Sequence, residues 1–144
     1  MGAGMASMVD DSRFPLVIVS WPIGQAKDAD VAQMLADLAT FYGRPHAVLH
    51  DGVRVGGLNA AQRRIIAHNT LAREDEIRRW VTASAAVAPS ALTRGIVSMI
   101  QWLAPSPCPF RAFAKRLDAE EWLLQALRRG GLWRPPVAPM SPPP

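Results

Sequence analysis

The sequence predicts an α/β domain: a four-stranded, mainly parallel sheet flanked by about four helices in the order β-α-β-α-β-α-β-α. Three observations predict it. Short runs rich in β-branched residues, "FPLVIVSWP" and "HAVLHD", are apolar on both alternations, as strands covered on both faces are. Longer segments between such runs carry apolar residues at helical spacing. The two kinds of segment alternate strictly, which calls for parallel strands joined by right-handed crossovers.

The first strand lies within "FPLVIVSWP", and Pro22 and Gly24 turn the chain after it. In "DADVAQMLADLATFYGR", Asp28 is positioned to cap a helix, and Val31, Met34, Leu35, Leu38 and Tyr42 share one face. Gly43 stops this helix and Pro45 forbids its continuation. "HAVLHD" is the second strand. A glycine-bearing loop, "DGVRVGGLN", follows it, and Asn59 stands three residues before Gln62 at capping-box spacing. The next helix is long, with Leu58, Ile65, Ile66, Ala72, Ile77 and Trp80 as expected buried positions and a kink or break near Asn69–Thr70.

"TASAAVAPS" is the third strand, whose small residues let helices approach closely. Ser90 caps a helix over "ALTRGIVSMIQWLA", with Leu92, Ile96, Met99, Ile100 and Leu103 as its apolar stripe. "PSPCP" breaks the chain. "FRAFAKR" is the fourth strand, an edge strand by its basic residues Arg111 and Lys115. The last helix opens with Asp118 and Glu121 at capping-box spacing and turns Ala119, Trp122, Leu123, Ala126 and Leu127 inward. On this reading residues 1–13 form a flexible tail, 14–131 the domain, and 132–144 a proline-rich tail.

A chain of 144 residues that is 49% hydrophobic buries a core without covalent staples. Its one cysteine, Cys108, excludes an internal disulfide and a multi-cysteine metal site. The longest apolar run, Phe14–Trp21, is too short to cross a bilayer, and the N-terminus lacks the pattern of a secretion signal. The expected compartment is therefore the cytoplasm. The net charge of +4 comes from sixteen basic residues against twelve acidic ones. Acids interleave with arginines, as in "AREDEIRRW", so the expectation is a solvated mixed-charge helix face and not a nucleic-acid stripe.

Candidate chemistry is sparse. The "DGVRVGGLN" loop joins a strand's carboxyl end to a helix, where α/β folds place ligands, but it lacks dinucleotide and P-loop spacings. Asp51 and Ser90, each at a strand end, are the candidate ligand-loop residues. An enzyme using Asp51 would need a second carboxylate at a matching strand end, and none is seen; capping of local amides suits Asp51 better. His50 points to the opposite side of its strand from Asp51. His46, His50 and His68 have no metal-ligand spacing, and no cofactor is expected. Of the tryptophans, Trp80, Trp102 and Trp122 read as core, and Trp21 as the rim of a pocket at the end of the first strand.

From Phe14 to Leu127, "FPLVIVSWP", "AVLHDGVRVGG", "AAVAPSALTRG" and "FRAFAKRLDAEEWL" together resemble the SpoIIAA-like branch of the STAS superfamily. The resemblance implies a regulatory or protein-interaction module, with lipid-binding CRAL-TRIO domains among its relatives. Sporulation antagonists carry a phosphorylated serine in an Asp-Ser-Ser-Gly-Leu turn. Aligning Gly57–Leu58 with that Gly-Leu pair puts Val55 and Gly56 at the serine positions, so this turn has no hydroxyl to phosphorylate. The leading expectation is a non-catalytic module that binds another protein, including a second copy of itself, through Val53, Arg54, Val55, Gly56, Gly57, Asn59 and Arg63. The alternative is binding of a lipid or other apolar small molecule between helices and sheet; an enzyme built on Asp51 ranks third.

Overall fold

The computed structural model describes residues 8–52 and 58–131. The predicted partner residues Val53–Gly57 and the proline-rich segment 132–144 lie outside them. In chain order the elements are β1 (Val9–Arg13), β2 (Leu16–Ser20), α1 (Asp28–Ala39), β3 (His46–Asp51), α2 (Ala60–Ala72), α3 (Glu74–Trp80), β4 (Val81–Val87), α4 (Ala91–Leu103), β5 (Phe110–Phe113) and α5 (Arg116–Arg129). The sheet has five strands in the order β1-β2-β3-β4-β5. Strands β2 to β5 are parallel and β1 is antiparallel to β2.

Two expectations are thereby corrected. The sheet is five-stranded and mixed, not four-stranded, and residues 9–13 of the supposed tail form its first edge strand. "VDDSR" could not announce itself by pattern: it lies along a wet edge, where only Val9 is half-buried, opposite Val19. Its charges suit an edge, because they discourage pairing with another chain.

Strands placed side by side in chain order and joined by crossovers of one hand put every connecting helix on the same face. The packing follows that rule. Val19, Val48 and Val81 meet Met34, Leu35 and Leu38 of α1, Tyr42 in the turn after it and Ile77 of α3, while Ala86 packs with Val97 of α4. On the opposite face Leu16, Ile18, Ala47, Leu49, Ala83, Ala85 and Val87 pack against Ala119, Leu123 and Leu127 of α5. A register shift between His46 and Ala47, facing Val81 and Ala83, explains why Val81 faces the helical layer when Ala83 does not.

Helix starts refine the sequence reading. Asn59 caps α2 with the full reciprocal box to Gln62. Ser90 and Thr93 form the same box on α4. Asp28 is not a cap; Lys27 takes that position, and Asp28 Oδ1 instead accepts a 2.8 Å bond from Gln62 Nε2. Helix α5 begins two residues before Asp118, so the Asp118–Glu121 box does not form. The long second helix breaks at Arg73, into α2 and α3, rather than at Asn69–Thr70. Ile65 and Ala72 are exposed there.

The stripe of α4 is rotated from expectation. Thr93 and Val97 are buried, whereas Leu92, Met99 and Leu103 face outward with Trp102, which is 83% exposed. The apolar stripe is therefore only partly covered: Ile96 and Ile100 pack against Ala26, Val31 and Leu58, while its Leu92, Met99 and Leu103 edge is exposed. The Ser90–Thr93 box engages the buried Thr93 hydroxyl.

Candidate functional site

The backbone of β3 sends His46, Val48 and His50 to the helical-layer side and Ala47, Leu49 and Asp51 to the α5 side. On neighbouring β4, Ser84 and Ala86 lie opposite Val48 and His50. The two faces of β4 are treated differently. On the α5 side the small residues Ala83 and Ala85 let Leu123 and Leu127 descend onto the sheet. On the other side Ser84 and Ala86 are equally small, but α2, α3 and α4 do not close down over them.

The result is a cavity of about 160 Å³ between the sheet and the helical layer. Its floor is Val48, His50, Ser84 and Ala86; Met34, Leu38, Ile66, Ile77, Val97 and Ile100 wall it from the helices. Trp21, at the end of β2, and Phe110 of β5 complete opposite sides. No Asp, Glu, Lys or Arg is among the described residues that line it. The polar groups present are neutral: histidine, serine, threonine, asparagine, glutamine, tyrosine and one thiol.

Burial sets the protonation of these groups. It lowers His50 to about 4 from its ordinary 6.5 and lowers His46 as well. It raises the Cys108 thiol and the Tyr42 phenol above their ordinary values. At neutral pH every one of these groups is uncharged. His50 Nδ1 accepts a 3.3 Å hydrogen bond from Trp21 Nε1–H. His46 Nδ1 lies 2.7 Å from the Arg44 carbonyl oxygen, while its Nε2 is buried without a partner, the ring sitting among Phe14, Phe41 and Tyr42.

Trp21 is held over His50 by backbone geometry. Its N–H donates to the Asp51 carbonyl at 2.8 Å. Gly52 follows with φ +87°, and a Cβ there would stand 3.2 Å from the Trp21 carbonyl oxygen. A side chain at position 52 would meet both strain and collision.

The residues singled out from the sequence fall elsewhere. Asp51 faces α5, where its Oδ2 accepts a 2.8 Å bond from Arg116 Nη1. That partner replaces the expected capping of local amides. Arg116 also binds Glu120, and Glu120 pairs with Arg13 of β1. Ser90 is spent on the α4 cap. Asp51 and Ser90 therefore serve separate structural contacts. Asn59 Oδ1 is committed to Gln62 N–H, and Arg63 Nη1 donates to the Leu58 carbonyl at 2.7 Å. Trp21 does rim a cavity, as its position predicted. Trp102 is not core. His46 and His50 sit on the cavity side four residues apart, a placement legible only from strand parity. Among the described residues no group of three or more His, Cys, Asp or Glu is arranged to hold a metal ion, and no helix is long and apolar enough to cross a membrane.

No family model matches the chain, and no curated protein matches it. Among solved structures it is similar to an uncharacterized protein of the DUF3478 family with a SpoIIAA-like fold from Shewanella loihica PV-4. The TM-score is 0.54 at 20% identity, over 85% of this chain and 98% of that one. The fold is SpoIIAA-like, as the sequence resemblance implied.

Proposed function

We propose that this protein is a non-catalytic binding module that encloses a small, neutral, mainly apolar molecule between its sheet and its helical layer. One observation carries the reading: a cavity of about 160 Å³ with apolar walls and no charged side chain among the described residues that line it. An engineered cavity of about 150 Å³ lined by Leu, Ile and Phe binds benzene, so this volume suits one ring or a short chain better than a whole lipid. Neutral lining groups favour a neutral occupant, because an ionised ligand would be buried without a counter-charge.

Catalysis has less support. Among the described lining residues no carboxylate stands beside a histidine, and Asp51 is paired with Arg116 on the other face of the sheet. Protein binding through the α2 approach also has less support from the described residues, since Asn59 and Arg63 are both engaged with their own loop and helix. Native mass spectrometry of the freshly purified protein tests the reading. A stoichiometric co-purifying mass, or one restored by adding toluene, is expected. Bare protein under both conditions would refute it.

A further inference from the structure

We infer that the occupant carries a hydrogen-bond acceptor oxygen of ketone or ether type, and that His50 Nε2–H holds it. This rests on the cavity-binding reading above and adds the polarity of the ligand.

The indole N–H of Trp21 can only donate, so His50 Nδ1, which receives it at 3.3 Å, must carry a lone pair. A neutral imidazole with an unprotonated Nδ1 has its hydrogen on Nε2. The indole thus fixes the tautomer. Among the described residues no group accepts from Nε2. The ring lines the cavity on the β3 floor beside Ala86, so a hydrogen-bond donor whose tautomer a neighbour fixes is offered to whatever fills the space.

The neighbouring groups sharpen the specificity. Val48 and Ala86 next to His50 present only carbon, and Val97 and Ile100 close from α4. On the helical wall Thr70 Oγ1 donates to the Ile66 carbonyl and Gln101 Oε1 accepts from Ser106 N–H, while Asn69 adds a polar amide to the lining. A molecule that is carbon over most of its surface, with one acceptor oxygen toward His50, matches this lining. A hydrocarbon of the same shape would leave the imidazole N–H unpaired, at a cost to binding.

Acetophenone and α-methylstyrene form a matched pair, since they differ only in C=O against C=CH2. Their dissociation constants with the full chain are compared by isothermal titration. Acetophenone is expected to bind about tenfold tighter, as one buried hydrogen bond warrants. His50→Phe keeps a ring and removes the donor, and should abolish or reverse the preference, because the ketone oxygen is then buried without a partner. Trp21→Phe, which removes the group that fixes the tautomer, should narrow the preference while leaving α-methylstyrene binding in place. Equal binding to the wild type, or a preference that survives His50→Phe, would overturn the inference while leaving the cavity reading intact. Failure of both compounds to bind the wild type would instead overturn the cavity reading, and this inference with it.

Discussion

His50 links stability to pH. Its pKa of about 4 in the folded protein lies below its ordinary 6.5, so the unfolded chain binds the proton more readily. Stability from this residue is complete above about pH 6.5 and is lost as pH falls toward 4. That difference in pKa corresponds to at most about 3 kcal/mol. His46, lowered in the same direction by burial, adds to the same window. Glu120 acts lower on the scale. Burial pulls its pKa up, but Arg13 and Arg116 outweigh this and leave it depressed, so its contribution goes only below the ordinary carboxylate value of 4.5. Chemical denaturation across pH 4 to 7 should therefore show wild-type stability falling below pH 6.5, with His50→Phe flattening the curve. An equally steep fall in His50→Phe would show that the histidine is not desolvated.

At the scale of elements, Gln62 joins two of them. It is 1% exposed; its Nε2 donates to the Ala26 carbonyl at 2.7 Å and to Asp28 Oδ1, and its Oε1 accepts from Asn59 N–H. One side chain thus ties the α2 N-terminus to the loop entering α1. Gln62→Leu keeps the volume but strands a buried carbonyl, and should cost about 2 kcal/mol in denaturant unfolding. A loss below about 0.5 kcal/mol would mean that water replaces these bonds. This element also shows what the sequence could and could not disclose. The Asn59–Gln62 spacing marked the cap, because capping is a local geometry written in four residues. That Gln62 also reaches Asp28, 34 positions away, left no local trace. The same holds for Asp51 with Arg116, 65 positions apart. Strand parity separated His50 from Asp51 correctly, but parity had nothing to grip in β1, where four of five residues are exposed. In α4 the spacing marked one apolar stripe, yet Leu92, Met99 and Leu103 within it are exposed and Thr93 and Val97 beside it are buried, a rotation set by tertiary packing that leaves no local trace.

At the scale of the whole molecule, the two faces of the sheet do different work. Helix α5 packs tightly on one face, with Ala119, Leu123 and Leu127 fully buried, and its end is tied to β1 and β3 through Arg13, Glu120, Arg116 and Asp51. That face is a close-packed backing. The other face keeps its helices apart over small β4 residues and leaves the cavity. A strand of small residues was legible in "TASAAV"; the space above it was not, because a void depends on how far helices stand from a sheet, which no residue pattern encodes. Methyl-resolved NMR during titration with acetophenone tests the central claim most directly, with Ser84→Leu as the filled-cavity control. The account predicts that Val48, Ile77, Val97 and Ile100 methyl signals shift saturably, that Leu123 and Leu127 stay in place, and that Ser84→Leu abolishes the shifts. Unmoved signals on the helical-layer side, or equal shifts on both faces, would contradict it.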